Sequence, residues 1–386
     1  MKRPQPVVYL DNAATTREKP LQVLKAMSLY MQRVSASPGR SAHRLAVEAG
    51  RMLFETREAL AELLGVEDSS RIIFTPNATY AINLALYGIL KKGDHVVTSS
   101  MEHNSVMRPL RHLQKVRNLK ITRVPANRAG ESKPEQFKES LTPKTRLIVA
   151  VHASNVVGTL TPVEQIAEIA AEKKIPLLVD AAQTAGAYPL NISQTGITLL
   201  AFTGHKALFG PQGIGGLYIA AEIDLEPLIR GGTGSNSEYE EQPEFLPDKF
   251  ESGTLNAVGI AGLGAAVKFI LRETVEKIRK QEIELTGALL ERLRKIPRLT
   301  VYGTKDPLKQ TPIVSVNIRR IPCSDVALIL DREFNIAVRA GLQCAPAAHK
   351  TIGTFPDGTV RISLSYFNTP GDVDAVAAAL DEVSKR

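Results

Sequence analysis

Leu199–Leu200–Ala201–Phe202–Thr203–Gly204–His205–Lys206 is an apolar strand that runs straight into a polar turn. Upstream, Leu177–Leu178–Val179–Asp180–Ala181–Ala182–Gln183 is a second such strand, ending in a carboxylate. Neither alternates apolar with polar. Continuous apolar runs of this length mark strands buried on both faces of a mostly parallel sheet. Working outward, strand-like runs at 71–75, 95–99, 147–152, 176–180, 199–203 and 216–219 alternate with helical patterns at 79–92, 106–117 and 162–174. Thr161 is placed to cap the last helix, and Pro162 fits its first turn. The pattern predicts an α/β fold of three layers, with a mostly parallel sheet between helices.

Beyond this core, Arg230–Gly231–Gly232–Thr233–Gly234–Ser235–Asn236–Ser237 reads as a turn-rich loop, followed by an acidic stretch to Glu244. One long helix is predicted over 259–295. Strands at 313–317, 337–339 and 360–363, a helix at 324–332 and a last helix from Gly371 then form a smaller α+β pattern. We therefore expect two domains: a large one over 16–260, and a small one made of 1–15 with 261–386.

The chain has 386 residues, 44% of them hydrophobic, enough for a large core. Lys and Arg number 48 against 40 Asp and Glu, a net +8. The positive charges are scattered, with no basic tail, and 5% aromatic residues with no Trp argue against a base-stacking surface. Nucleic acid is not an expected partner. The two cysteines, Cys323 and Cys344, make no disulfide framework and favour a reducing compartment. The N-terminal apolar run is too short for a signal-peptide core, and no stretch approaches the roughly 18 apolar residues of a membrane span. A soluble, cytoplasmic protein is expected. The seven histidines show no zinc spacing, so no metal is expected.

Taken singly, a lysine after a strand is a solvated charge, and an aspartate at a strand end is a turn or cap residue. Here the polar clusters recur at strand ends, where open α/β sheets bind ligands. Asp180 with Gln183, then Thr203, His205 and Lys206, can assemble a site for an aldehyde cofactor. The lysine amine would form the imine, and the carboxylate would hold a pyridine nitrogen protonated. That chemistry points to pyridoxal 5′-phosphate. Thr75–Pro76–Asn77–Ala78–Thr79 follows a strand and opens a helix, a plausible phosphate site. His103 and Asn155 each lie just past a strand, one suited to proton relay and the other to donating a hydrogen bond. Cys344 sits in a loop between Arg339 and Arg361, and nearby positive charge favours thiolate. Arg361, inside an apolar strand, needs a partner; a substrate carboxylate or a structural acid would serve.

In this order the motifs resemble the class V aminotransferases, and within them the cysteine desulfurases of the NifS and SufS types. The matching pieces include Leu10–Asp11–Asn12–Ala13–Ala14–Thr15–Thr16, Glu102–His103–Asn104, Asp180–Ala181–Ala182–Gln183, Thr203–Gly204–His205–Lys206, Phe250–Glu251–Ser252–Gly253–Thr254 and Arg339–Ala340–Gly341–Leu342–Gln343–Cys344. The resemblance implies the aspartate-aminotransferase-like fold and a set of roles. Lys206 is the Schiff-base lysine, Asp180 the pyridinium partner, and Gln183 the ring-oxygen donor. His103 stacks on the ring, and Ala78 (through its backbone), Thr79, Thr203 and His205 bind phosphate. Thr254 reaches the phosphate of a neighbouring subunit, which implies a homodimer with shared sites. Asn155, Arg339 and Arg361 hold the substrate, and Cys344 takes its sulfur. Three places depart from the family pattern: Ala78 for a hydroxyl residue, the Gly231–Gly234 loop, and Leu342–Gln343 before Cys344.

The implied reaction turns L-cysteine into L-alanine and a Cys344 persulfide, which a sulfur-acceptor protein would discharge. Two rivals share the sequence features. One is a selenocysteine lyase, aminotransferase or β-eliminating lyase on the same scaffold. The other is a non-catalytic scaffold in iron–sulfur assembly.

Overall fold

The computed structural model describes residues 7–39 and 41–386. Residues 1–6, assigned above to the small domain, lie outside the described residues. The strands are β1 (Val8–Tyr9), β2 (Ile72–Thr75), β3 (His95–Ser99), β4 (Lys120–Val124), β5 (Thr145–Val151), β6 (Leu177–Asp180), β7 (Leu199–Thr203), β8 (Gly215–Ile219), β9 (Leu299–Tyr302), β10 (Ile313–Ile318), β11 (Ile336–Ala337), β12 (Arg339–Gly341) and β13 (Thr359–Ser363).

Seven of them form one sheet in the order β2-β8-β7-β6-β5-β3-β4. From β7 to β4 every pairing is parallel. β8 alone runs the other way, antiparallel to both β2 and β7. The reason is local: the connection 204–214 holds no helix, and a parallel return would need a crossover of a dozen or more residues.

The apolar runs of the central strands serve two cores at once. Val97, Ile148, Ala150, Val179, Leu200 and Phe202 pack into one cluster, with the helices Arg44–Leu64, Val163–Glu172 and Ala257–Glu273. Their neighbours Val96, Leu147, Val149, Leu178, Leu199 and Ala201 point into the other, with the helices Ala78–Ile89 and Asn104–Val116. Successive side chains face opposite sides of a sheet, so a strand covered on both sides cannot alternate in polarity. The architecture is the expected three-layer α/β sandwich.

A second sheet, antiparallel in the order β12-β13-β10-β9, follows it in the chain. Its core gathers Val314, Val316, Val360 and Ile362 with Leu289, Leu293, Val376 and Leu380. The helix expected over 259–295 is two helices. Thr274, at φ 70°, ends Ala257–Glu273 and caps Val275–Leu293 by accepting from the Lys277 N–H at 3.3 Å. The apolar period continues through this point, which is why periodicity alone missed the break. The first half packs on the large core and most of the second on the small one. We propose the two-part division for the folded chain as well. It is supported by Leu10, which sits in the small core, and by the pairing of β1 with β11. No helix among the described residues is long and apolar enough to cross a membrane.

One buried ion pair ties the Phe250–Thr254 segment to this frame. Arg57 Nη1 and Nη2 donate to Glu251 Oε1 and Oε2 at 2.9 and 3.0 Å, and Glu251 Oε1 also accepts from the Phe74 N–H at 2.6 Å. Both side chains are buried, at 8% and 6% exposure. Arg57→Ala leaves a buried carboxylate without its cation, and should cost about 3–5 kcal/mol in denaturant unfolding. A loss below about 1 kcal/mol would show that water reaches Glu251 and the pair does little.

Candidate active site

Five strand ends deliver the site. Asn77, Ala78 and Thr79 follow β2, His103 and Ser105 follow β3, Asn155 follows β5, Asp180 ends β6 with Gln183 just beyond, and Thr203, His205 and Lys206 follow from β7. All line one cavity of about 90 Å³. Nine of the residues singled out from sequence are thus brought together: Ala78, Thr79, His103, Asn155, Asp180, Gln183, Thr203, His205 and Lys206.

The lysine turn is pinned from the far end of the chain. Thr16 donates from its N–H to His205 O at 3.0 Å and from its hydroxyl to Lys206 O at 2.9 Å. Gln183 Nε2 donates to Ala13 O at 3.1 Å. These bonds join the Leu10–Thr16 motif to the lysine motif in space.

The electrostatics follow from burial. Desolvation pushes the Lys206 ammonium down to about 8, against the opposing pull of Asp180, while Arg361 and Arg339 add to the lowering. Asp180 is pushed up by burial, opposed by the Ala182 N–H at 3.0 Å and by Lys206. His103 falls to about 4, chiefly from burial and then from the Lys206 and arginine charges. Its Nδ1 accepts from the Ser105 N–H at 3.0 Å, so the neutral ring carries its proton on Nε2. Beside it, Glu102 is fully buried and pushed up to about 8 by that burial. Its Oε1 accepts from the Ser99 hydroxyl at 2.6 Å and the Val151 N–H at 3.0 Å, bracing the end of β3 against β5.

Cys344 is exposed, and Arg339 Nη2 lies 3.4 Å from its sulfur. Its loop is tied at two points, to Asn155 of the cavity wall and to Asn104 next to His103. Cys344 O accepts from the Asn104 N–H at 2.9 Å, and Gln343 O accepts from Asn155 Nδ2 at 2.6 Å. Cys323, by contrast, is buried, with its sulfur against Asp357 O at 3.2 Å.

Arg361 is almost wholly buried and paired. Its Nη2 meets Asp11 Oδ1 at 2.6 Å and its Nη1 donates to Asn155 O at 2.9 Å, while Nε is buried without a partner. Asp11 stood in the sequence motif with no role. The signal that could have found it was the charge of Arg361 inside an apolar strand, but nothing local says which acid answers it.

Thr254 is exposed and does not join the cavity. It lines a separate hollow of about 280 Å³ with Phe54, Arg57, Thr233 and Glu251.

The residues present fit a phosphate-bearing pyridoxal. Thr203 Oγ1 and His205 Nδ1 are buried with no partner, and both residues line the same cavity as Asn77, Ala78 and Thr79 at the start of the helix Ala78–Ile89. Unsatisfied polar atoms and a helix N-terminus facing one cavity form a site for an anion. Across the same cavity stand an amine with depressed affinity for its proton and a buried carboxylate.

Comparison with known proteins agrees. The family described as Aminotransferase class-V matches residues 8–376. The chain is 36% identical over 384 residues to a probable cysteine desulfurase of Methanothermobacter thermautotrophicus, covering 98% of this chain and 94% of that one. It is 37% identical over 388 residues to a probable cysteine desulfurase of Halalkalibacterium halodurans, with the same coverages. Among solved structures, the apo cysteine desulfurase of Thermococcus onnurineus superposes with a TM-score of 0.92 at 32% identity, covering 98% of this chain and 95% of that one. The cysteine desulfurase CsdA of Escherichia coli does so with a TM-score of 0.87 at 27% identity, again covering 98% and 95%. This chain belongs to the class-V aminotransferase family.

Proposed function

We propose that this chain is a pyridoxal-phosphate-dependent cysteine desulfurase that converts L-cysteine to L-alanine and holds the sulfur on Cys344. The observation that carries this reading is an exposed thiol, contacted by a guanidinium, in a loop hydrogen-bonded to Asn155, which lines the Lys206 cavity, and to Asn104, next to His103. An aminotransferase would have no use for that thiol.

In this reading Lys206 would bind the cofactor through its carbonyl carbon, Asp180 would pair with its ring nitrogen, Gln183 would donate to its ring oxygen and His103 would pack against the ring. Ala78, Thr79, Thr203 and His205 hold the phosphate. The bound group supplies an electron sink for charge at the substrate α-carbon. Lys206, with its affinity for protons lowered, takes the α-proton. Arg361 Nε, buried and unpartnered, and Asn155 orient the substrate carboxylate. The Cys344 thiolate, beside Arg339, attacks the cysteine sulfur. A sulfur–sulfur bond forms, and the carbon–sulfur bond breaks with its electron pair left on carbon. That carbon takes a proton and becomes the alanine methyl group, so no external oxidant or reductant is needed. His103, with its proton on Nε2, serves proton movement in the cavity.

The active form is a homodimer in which Thr254 completes the phosphate site of the other subunit. Support comes from the separation of Thr254 from its own cavity and from exposed Leu21, Leu24, Met31, Val47 and Phe54, too many large apolar side chains to leave in water. The persulfide is passed to a sulfur-acceptor protein in the cytoplasm, with iron–sulfur cluster assembly as the consumer.

Purified enzyme given L-cysteine should release alanine and become one sulfur atom heavier on the Cys344 peptide. Keto-acid formation without added sulfur would sink the reading in favour of an aminotransferase. Turnover confined to selenocysteine would favour the lyase.

A further inference from the structure

Gln343 and Cys344 both sit in the left-handed backbone region, at φ 40° and 60°. Two adjacent non-glycine residues there are strained, and such strain persists only where the surroundings over-determine it. Something must hold this loop.

The holder is a chain of buried hydrogen bonds. Gln343, 2% exposed, donates from Nε2 to Thr359 O at 2.9 Å and to Arg339 O at 3.4 Å. Two carbonyl partners fix that end of the amide as the NH2 group, so Oε1 must face the other way. There it meets His349 Nε2 at 2.7 Å, with the Thr359 hydroxyl farther off at 3.5 Å. Oε1 can only accept, so His349 carries its proton on Nε2 and its Nδ1 takes the Thr354 hydroxyl at 2.7 Å. Burial keeps the ring neutral, pushing it down to about 4. His349 is fully buried on the helix Pro346–Ile352, is not among the residues that line the Lys206 cavity, and has no part in the mechanism above.

We propose that His349 is a positioning residue: through Gln343 it locks the Cys344 loop in its left-handed form and keeps the thiol at Arg339. The proposal rests on the reading of Cys344 as the sulfur acceptor. A sequence with histidine beside the cysteine could build this clamp differently; here the glutamine needs a donor, and His349 supplies it.

The test uses the purified, cofactor-loaded enzyme and three readouts: persulfide formation on Cys344, alkylation of Cys344 by iodoacetamide at one fixed neutral pH, and exchange of the α-hydrogen of L-alanine with deuterated solvent. The exchange needs Lys206 but not the thiol. His349→Ala should slow persulfide formation and alkylation each about tenfold, because the buried Gln343 Oε1 loses its short donor, keeping only the Thr359 hydroxyl at 3.5 Å, and the loop no longer holds the sulfur in one place at Arg339. Exchange should stay within about twofold of the parent. His349→Gln, whose amide nitrogen can reach the Nε2 position, should recover most of both losses. Gln343→Leu, which removes the clamp and leaves the helix intact, should reproduce the His349→Ala pair of changes, and it decides the matter if His349→Ala does not fold. Unchanged alkylation, no rescue by glutamine, or exchange falling in parallel would each overturn the clamp. Persulfide found away from Cys344 in the parent enzyme would instead overturn the functional reading itself.

Discussion

Cys344→Ser should abolish sulfur transfer while leaving the protein folded and coloured by its cofactor. Serine fits the same exposed site and can still meet the Arg339 guanidinium. The loop would keep its two backbone ties to Asn104 and Asn155. What disappears is the nucleophile, because a hydroxyl at neutral pH does not attack a thiol sulfur and cannot store one. Alanine formation from L-cysteine should therefore fall by at least ~10³-fold. Absorbance near ~420 nm, expected of a lysine-linked pyridoxal, should be unchanged. Alanine and sulfide released at the parent rate would mean that sulfur leaves by elimination, and that Cys344 is a bystander.

Lys206→Ala should have an effect at least as large, by a different route. One amine has two tasks, capture of the cofactor carbonyl and removal of the α-proton, and alanine can do neither. Turnover should drop by at least ~10³-fold. Borohydride should lock the cofactor onto the Lys206 peptide of the parent and onto no peptide of the variant. The amine's environment adds a pH signature. Its pKa is lowered from 10.5 to about 8, so the neutral, reactive fraction in cofactor-free protein grows as pH rises towards 8 and levels off above it. The rate of cofactor capture should follow that curve. A rate flat from pH 6 to 9, or borohydride labelling elsewhere in the parent, would remove Lys206 from the role.

Much of the core was legible because its signals are local. β5, β6 and β7 each carry an unbroken apolar run, Leu147–Val151, Leu177–Val179 and Leu199–Phe202, and only burial on both faces permits them. The edge strand β4, Lys120–Val124, was missed because half of it is wet and no apolar run announces it. The helix Arg44–Leu64, which buries four alanines with Leu53, Leu60 and Leu64, lies upstream of the strand–helix alternation that was read from residue 71 onward. Pro162, read as the first helical residue, is the cap, with Val163 following.

The sequence by itself determined which strands carry polar groups beyond their carboxyl ends, and hence that Lys206, Asp180, Gln183, Thr203 and His205 would meet. Strand direction in a parallel sheet makes that a one-dimensional deduction. Only the tertiary structure decided that Asp11 answers Arg361, that Thr16 grips the lysine turn, that Thr254 stands apart from its own cavity, and that His349 holds Gln343. Each of these depends on where distant or irregular segments come to rest, and neither hydrophobic period nor residue type encodes that placement locally.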